Sequence, residues 1–327
     1  MVENKSIPLV SVVIPMYNCE EYIERCIISL MQQKYRNIEV LIVDDGSTDA
    51  SANIIMQYVD KDDRIRYFYQ NNAGPSVARN KAIQHAIGKY LLFVDADDYV
   101  SNDYIENLVC TAEENDSELV IAGYTLVYED GKTDVVIIPS KYEKCKAEEW
   151  AYRISACCSR LYLKEFWSKN NLQFYPEKDA RAEDVPIALY ANAMAKRIRI
   201  VKDAGYFYYQ HNSSAMNNKS KEIPFIFPYR AFENMYTKMK ASHVENSMDY
   251  YWFGVLKFLA QFEFVIYRKA SKKERDNFYK YIGRLIGSDW EQMVFGWRRI
   301  RYQIDLPFVH RCAIELFIYK YKRTRLG

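Results

Sequence analysis

The chain has 327 residues, of which 49% are hydrophobic and 27% are charged, and its formal net charge is +2. This length and composition support a substantial core in one large or two smaller domains, and they exclude a low-charge membrane protein. No apolar run approaches the roughly 20 residues of a spanning helix, and the N-terminal segment lacks the basic and apolar regions of a signal peptide. Seven cysteines without a C-x-x-C pair indicate reduced thiols, buried as small apolar side chains, in a cytosolic protein.

The first hundred residues alternate between strand and helix patterns. Short β-branched runs predict strands in "LVSVVIP", which Pro15 ends, and in "IEVLIVDDGS", "IRYFYQ" and "YLLFVDADD". Between them lie a helix with one apolar face, a helix capped by Thr48 or Asp49, and a helix from Ser76 to Ile87 with Gly88 as its C′ glycine. This order predicts an α/β fold, with a parallel sheet covered by helices on both faces.

Polar residues follow the strands where each one ends. Ligands of open α/β sheets lie outside the carboxyl ends of the strands. We therefore expect one rim to collect the residues that end strands one, two and four, namely Tyr17, Asn18, Asp44, Asp45, Asp95 and Asp97.

The fourth strand ends in three carboxylates, Asp95, Asp97 and Asp98. Neighbouring carboxylates repel one another unless a cation or hydrogen-bond donors compensate them. Mg²⁺ or Mn²⁺ prefers oxygen ligands of this kind, so the cluster indicates a metal site. The alternative is that Asp97 or Asp98 caps the next helix, and for Asp98 a structural role and a site role both stay open.

The pattern changes after about residue 118. A hairpin is predicted around Asp130, and "RIRIVKDAGYFYYQH" predicts two short strands joined by a turn at 203–205. A second acidic pair, Glu183 and Asp184, enters a helix whose start is indicated by Pro186. Acids in a first helical turn also favour the helix dipole, so this pair has a structural alternative as well.

Four motifs carry a family resemblance: "VSVVIPMYNCEEYIERCIISLMQQ", "IEVLIVDDGSTD", "NNAGPSVARNKAI" and "GKYLLFVDADD". In this order and spacing they resemble a family 2 glycosyltransferase with the GT-A fold, as found among bacterial capsular, exopolysaccharide and lipopolysaccharide glycosyltransferases. The resemblance implies a GT-A domain over residues 1–225, a Rossmann-like mixed sheet with helices on both faces. Its nucleotide-sugar half is 1–110 and its acceptor half 118–225, and a helical, aromatic and basic region follows at 226–327.

The resemblance also implies roles for individual residues. The first loop contacts base and ribose through Pro15, Tyr17, Asn18 and Glu20. Asp45 reads the uracil edge, with support from Asp44, while Gly74 and Arg79 close over the base. Asp95 lies near the ribose and the metal, Asp97 binds Mn²⁺ or Mg²⁺ directly, and His211 approaches the diphosphate with Asn212, Ser213 and Ser214 beside it. Asp184 is the expected catalytic base, with Glu183 as its neighbour or substitute.

The C-terminal part is basic, with 16 Lys and Arg against 7 Asp and Glu from Leu256 to Gly327. Aromatic and basic residues interleave from Trp297 onward, which is typical of a helix on anionic lipid. We expect peripheral membrane contact and no nucleic-acid binding. A solvated basic face or a homo-oligomer contact is the alternative.

The expected function is that of an inverting, metal-dependent glycosyltransferase at the cytoplasmic side of the cell membrane. It would move a hexose or N-acetylhexosamine from a UDP-sugar to a hydroxyl of a growing cell-surface polysaccharide or lipid-linked oligosaccharide. One alternative is a nucleotidyltransferase, although the acidic stretch "PMYNCEEY" stands where that class needs a Gly-rich, basic loop. Another is a non-catalytic subunit of a synthase complex that binds sugar nucleotide or glycan.

Overall fold

The structure is a computed structural model. It describes residues 7–136, 156–178, 182–201, 205–211 and 228–242, and within the last quarter of the chain 252, 254–257, 259–260, 272–287, 289–300, 312, 314–320 and 322.

The described residues form eleven strands. In chain order they are β1 (Val10–Met16), β2 (Ile38–Asp44), β3 (Ile65–Tyr69), β4 (Tyr90–Phe93), β5 (Tyr99–Val100), β6 (Leu119–Ala122), β7 (Tyr124–Tyr128), β8 (Thr133–Val136), β9 (Arg160–Leu163), β10 (Ile198–Val201) and β11 (Tyr206–Gln210). They build a seven-stranded sheet in the order β10-β6-β9-β4-β1-β2-β3 and a four-stranded sheet in the order β5-β11-β7-β8. In the larger sheet β9 runs antiparallel to both neighbours, and the other pairs are parallel.

In the part of the chain that the structure describes, nine helices with defined bounds accompany these strands. They are α1 (Ile23–Met31), α2 (Ser51–Val59), α3 (Pro75–His85), α4 (Tyr104–Glu114), α5 (Lys164–Lys169), α6 (Val185–Met194), α7 (Tyr229–Ala241), α8 (Lys272–Ile286) and α9 (Trp290–Ile300). Residues 314–320 are helical as well. The predicted βαβ order of the first hundred residues is confirmed.

Continuous burial explains why the central strands lie where they do. Every residue of β2 and β4 is buried, and β1 is buried at all positions except Pro15. Such strands need cover on both faces, which the helices provide. The β1–β2 register pairs Met16 with Asp44, and the β1–β4 register ends at Val13 and Phe93. These registers bring the acidic ends of β2 and β4 to the same edge of the sheet.

Strand β1 passes through Pro15 and ends one residue later, so the prediction that Pro15 stops the strand and lies in the loop is wrong. Pairing with β4 ends at Val13, which leaves Pro15 with strand β2 on one side only. A proline is tolerated where one side of the strand is unpaired, because its missing N–H is not required there.

Gly88 does not serve as the C′ residue of α3. The helix ends at His85 and its cap, Ala86, is already extended. A Cβ at Gly88 would lie 2.7 Å from the carbonyl oxygen of Leu9 and 2.7 Å from Oγ of Ser11. The glycine is therefore required by the close approach of the chain that enters β1.

The predicted helix caps also differ from those observed. Helix α4 begins at Tyr104 after Asp103, with strand β5 before it, so neither Asp97 nor Asp98 is its cap. At α2 the cap position is Ala50, while Asp49 accepts a hydrogen bond from the Ser51 amide at 3.0 Å. The short strand β5 therefore lies where the alternative interpretation would begin the helix.

Both predicted strand pairs of the second half are present. The hairpin joins β7 and β8 through Gly131, which has a φ of 79°. Strands β10 and β11 also form, but they lie in different sheets, and residues 202–204 of the turn between them lie outside the described residues.

The C-terminal helices share one core with the sheet. Helix α7 buries Phe232 and Met235, and the same cluster of buried side chains continues to Trp297, Phe317 and Ile318. Three of the aromatic and apolar residues expected on a membrane face are thus interior. Tyr319 is exposed, and Tyr302 and Phe308 lie outside the described residues. Among the helices described here, none combines the length and the apolar character needed to cross a membrane.

Candidate active site

The turn after β4 carries the three predicted carboxylates, and each has a different environment. Asp95 accepts hydrogen bonds from Arg79 at 2.8 Å and from the Cys158 thiol at 3.1 Å. Asp97 faces His211, with Oδ2 and Nε2 2.9 Å apart. Within one turn, Asp95 therefore has a cation as its partner, whereas Asp97 has an imidazole.

Asp98 is fully buried and binds the strand behind the turn. Its carboxylate accepts hydrogen bonds from the Tyr206 hydroxyl and, at 2.9 Å, from the Tyr209 amide. Burial raises the pKa of Asp98 well above its usual value, and the nearby charges of Asp97 and Asp95 raise it further. Because Tyr209 precedes His211 by two residues, Asp98 holds the strand that carries this histidine against the turn. Of the two roles left open for Asp98, the structural one matches these contacts.

The second acidic pair lies at the N-terminus of α6. Glu183 is buried and accepts a hydrogen bond from Arg79 at 2.7 Å. Burial raises the pKa of Glu183, although the charge of Arg79 acts in the opposite direction. Asp184 occupies the N-cap position, is half-buried, and accepts a hydrogen bond from the Cys157 amide at 2.7 Å.

Arg79 joins the two acidic groups. Its side chain is buried, and its two terminal nitrogens donate to Asp95 and to Glu183. The guanidinium also lies 5.3 Å from the ring centre of Phe174. Arg79, expected to close over the nucleotide base, is in this structure the cation that joins Glu183, just before α6, to Asp95 after β4.

Asp44 and Asp45 organise the loops at the end of β2. Asp44 accepts hydrogen bonds from the Tyr67 hydroxyl at 2.7 Å and the Ser47 amide at 2.8 Å. Asp45 is buried, and its two oxygens accept from Gln70 and from the amides of Ala73 and Gly74 at 2.7–2.8 Å. A carboxylate has about four acceptor sites, so Asp45 retains room for one further donor.

The first loop, between β1 and α1, is hydrogen-bonded to the segment before α2. The side-chain oxygen of Asn18 accepts from the Thr48 amide at 2.8 Å, and Glu20 accepts from the Ala50 amide at 2.7 Å. Asn18 has a φ of 45°, a left-handed conformation that asparagine tolerates better than most residues. Tyr17, between these contacts and β1, is 50% exposed.

Gly74 lies where the loop after β3 contacts the segment that contains Lys178. Its φ is 95°, and a Cβ there would lie 2.8 Å from the Cα of Lys178. Lys178 in turn donates to the Asn72 carbonyl at 3.0 Å. The glycine therefore allows the segment that leads towards α6 to lie directly on the loop after β3.

The donor set at Asp97 can be compared with what a divalent metal requires. Within the described residues, no group of three or more His, Cys, Asp and Glu side chains is arranged to hold a metal ion. Asp95, predicted as a second ligand, already binds Arg79 and Cys158. The Asp97 carboxylate and the His211 imidazole offer one oxygen and one nitrogen donor. Mn²⁺ accepts both, and such metals usually complete their coordination with substrate phosphates and water, so the pair fits a metal site that the substrate completes.

Sequence reasoning missed several contacts of this rim. Cysteines 157 and 158 are buried, as predicted, whereas Cys110 and Cys312 are exposed, so the prediction of burial is wrong for those two. Cys158 binds Asp95, and the Cys157 amide binds Asp184. A hydrogen bond with Cys157 and burial raise the pKa of the Cys158 thiol, which therefore stays protonated and acts as a donor. Arg25 donates to the Asp97 carbonyl at 2.8 Å. Only the position of Arg25 on the helix after the first loop could have signalled this contact.

Some predicted residues lie outside the described part of the chain. They are Asn212, Ser213 and Ser214, which follow His211.

Comparison with known proteins identifies the family. The family profile described as Glycosyl transferase family 2 matches residues 11–197. An uncharacterized glycosyltransferase of Bacillus subtilis, EpsJ, is 37% identical over 229 residues, which are 67% of this chain and 64% of EpsJ. A poly(ribitol-phosphate) beta-glucosyltransferase of Bacillus spizizenii is 27% identical over 296 residues, 85% of this chain and 44% of that protein. This chain thus spans less than two thirds of either relative.

A solved structure shows the same fold. The crystal structure of S. aureus TarS 1–349 in complex with UDP-GlcNAc superposes with a TM-score of 0.68 at 23% identity, covering 85% of this chain and 80% of that one. The mixed sheet and flanking helices described above are those of the GT-A fold. With more than half of its residues matched by the family profile, the chain belongs to glycosyl transferase family 2.

Proposed function

We propose that this protein is an inverting glycosyltransferase that moves a sugar from a nucleotide sugar to an acceptor hydroxyl. The observation that carries the proposal is the placement of two acidic groups on one rim. Arg79 holds the acids at α6 beside the turn that carries Asp97 and His211. In an inverting displacement the acceptor oxygen attacks the anomeric carbon on the face opposite the leaving diphosphate, so the base and the diphosphate site must both lie within reach of the same sugar.

The proposed donor is a UDP-hexose or UDP-N-acetylhexosamine. Membership of the family and the fold shared with TarS, which binds UDP-GlcNAc, support a uridine donor. The proposed nucleotide contacts are Pro15, Tyr17, Asn18, Glu20, Asp44, Asp45, Gly74 and Asp95. Tyr17 offers an exposed ring, and Asp45 retains capacity to accept one N–H.

Mn²⁺ or Mg²⁺ is the proposed cofactor, and Asp97 and His211 are the side chains that would hold it. The bound ion would supply positive charge that stabilises the leaving diphosphate. Arg79 is engaged by two carboxylates and has no part in this task.

Asp184 is the proposed general base. The Cys157 amide fixes one of its oxygens, and no donor among the described residues is found at the other, so a lone pair can face the acceptor hydroxyl. The acceptor oxygen attacks the anomeric carbon, its proton passes to Asp184, and the bond to the diphosphate oxygen breaks with its electron pair. Glu183 is committed to Arg79 and is the weaker candidate.

The proposed acceptor is a hydroxyl of a cell-surface polysaccharide or lipid-linked oligosaccharide. A relative named for poly(ribitol-phosphate) glucosylation supports a polymer of this kind. Contact with the membrane through the C-terminal region belongs to this proposal, and the side chains of Phe295, Leu316 and Tyr319 in that region are exposed.

A donor screen tests the proposal. UDP-, GDP-, CMP- and dTDP-sugars would be titrated by calorimetry with and without Mn²⁺, and slow hydrolysis would be followed in parallel. We expect metal-dependent binding and hydrolysis of a UDP-sugar. Asp184→Asn should retain binding and lose transfer to acceptor, whereas Asp97→Asn should lose the metal-dependent part of binding. If the folded protein binds none of these donors, the proposed function is wrong.

If the protein binds a donor but shows neither hydrolysis nor transfer, it is a binding subunit. A nucleotidyltransferase would instead consume a nucleoside triphosphate and release pyrophosphate.

A further inference from the structure

Aromatic rings and one guanidinium group pack beside His211. Tyr22 contacts the imidazole with ring centres 4.3 Å apart, and Tyr209 in β11, two residues before His211, lies 5.7 Å from it. The guanidinium carbon of Arg25 lies 4.2 Å from the ring centre of Tyr209 and 4.4 Å from that of Tyr99. Arg25 is therefore held between two tyrosine rings, one on β5 and one on β11.

The same guanidinium binds the turn that carries the metal-site carboxylate. Nη2 of Arg25 donates to the Asp97 carbonyl oxygen at 2.8 Å. Arg25 thus contacts both halves of the pair: the backbone of Asp97 directly, and His211 through the ring of Tyr209. Strand β5 supplies the second ring immediately after the turn, since Tyr99 follows Asp98 in the chain.

We propose that Arg25 is a positioning residue that fixes the Asp97 carboxylate and the His211 imidazole relative to each other. This inference rests on the proposed function, because it assigns to Arg25 the geometry of the proposed metal site. Arginine suits the role because its planar group stacks on aromatic rings while an edge nitrogen donates a hydrogen bond. Lysine keeps the charge but lacks the planar group, so it cannot replace both contacts.

The first test needs neither nucleotide nor metal. The ring signals of His211 would be recorded by NMR in protein labelled at its histidines and assigned with His211→Asn. In Arg25→Ala and Arg25→Lys we expect the His211 signals to shift and broaden, because the ring of Tyr209 loses the guanidinium group that packs on it. Arg36→Ala is the matched control, since Arg36 also donates to a backbone carbonyl, that of Met31, away from the rim.

The second test measures Mn²⁺ affinity by electron paramagnetic resonance in the presence of UDP. Loss of a residue that orients a metal ligand typically weakens metal binding by roughly 10- to 100-fold. We expect a loss in this range for Arg25→Ala, a loss of at least about fivefold for Arg25→Lys, and none for Arg36→Ala. Wild-type affinity in Arg25→Ala, or unchanged His211 signals, would overturn the positioning role.

Two further outcomes separate the inference from the proposed function. If the wild-type protein binds no Mn²⁺ with UDP, the proposed metal site is wrong, while the NMR comparison still decides whether Arg25 orders His211. If Arg25→Ala does not fold, Tyr99→Leu decides, because it removes one ring from Arg25 and leaves the hydrogen bond to Asp97 in place. Tyr99→Leu with unchanged His211 signals and Mn²⁺ affinity would contradict the proposal.

Discussion

Arg79 is a buried cation whose removal leaves two carboxylates without compensation. Its side chain is 6% exposed and binds both Asp95 and Glu183. Breaking a buried ion pair on one side typically costs about 3–5 kcal/mol, so Arg79→Met should lower the free energy of unfolding by that amount. Urea denaturation measures the change. Lys89→Met is the control, because the side chains of the Lys89–Glu113 pair are 48% and 28% exposed and the pair should contribute about 1 kcal/mol or less.

A double variant distinguishes the buried charge from general damage to the core. Neutralising Glu183 in the Arg79→Met background, by Glu183→Gln, should recover part of the lost stability. Equal stability of the single and double variants would show that the cation is not needed to compensate Glu183.

Asp98 should give the protein a pH-dependent stability. Its pKa is raised by burial above the usual 3.8, so the folded chain holds this proton more tightly than the unfolded chain. The stability that Asp98 contributes is therefore present below about pH 3.8 and is lost as the pH rises through the folded-state pKa. Asp98→Asn resembles the protonated form and does not titrate.

The measurement is the melting temperature of both proteins between pH 5 and pH 8.5. The variant should gain stability relative to the wild type as the pH rises across this interval. Glu183 also has a raised pKa, but it is present in both proteins and cancels in the difference. A difference that stays constant over the whole interval would show that Asp98 does not titrate there.

At the scale of the elements, strands and helices were predictable where contacts between residues close in the sequence determine them. Strands β1, β2 and β4 were predictable because each is a continuous apolar run, a pattern that records burial on both faces. Strand β5 was not, since its two residues form a strand only by pairing with β11 more than a hundred residues later. The Arg79–Glu183 ion pair, between residues 104 positions apart, was hidden for the same reason.

Substitutions at Gly88 test whether this glycine caps a helix or is required by a close backbone contact. A glycine that caps a helix in the left-handed conformation can be replaced by asparagine at little cost. Gly88 instead faces the backbone of Leu9 at a distance that no Cβ can occupy, so both Gly88→Ala and Gly88→Asn should destabilise by about 1–3 kcal/mol.

Gly131 is the matched control, with a φ of 79° and open space around it. Gly131→Asn should cost less than about 1 kcal/mol, because asparagine accepts the left-handed conformation. Chemical denaturation of the three variants decides the matter. Tolerance of asparagine at both positions would restore the capping interpretation of Gly88.

At the scale of the whole molecule, one hydrophobic cluster runs from the central sheet to the C-terminal helices. It includes Val13 in β1, Phe232 in α7 and Trp297 in α9. The sequence divides the chain differently, since the family motifs end before residue 225 and composition changes there. Composition records what each segment is made of, whereas the shared core depends on which faces meet, and no local pattern reports that.

A shared core predicts a single cooperative unfolding transition for the full chain. Parts of a chain that hold separate cores unfold separately, whereas parts that bury the same side chains lose them together. Far-UV circular dichroism follows the whole chain, and tryptophan fluorescence is weighted towards Trp252, Trp290 and Trp297 beyond residue 226. The two curves should coincide. Phe232→Ala removes a fully buried ring from α7, costs about 3–5 kcal/mol, and should shift both curves by the same amount. In the variant, the fluorescence transition could instead occur at a lower temperature than the dichroism transition. The C-terminal helices would then be a separate unit, and the boundary near residue 225 would be a true domain boundary.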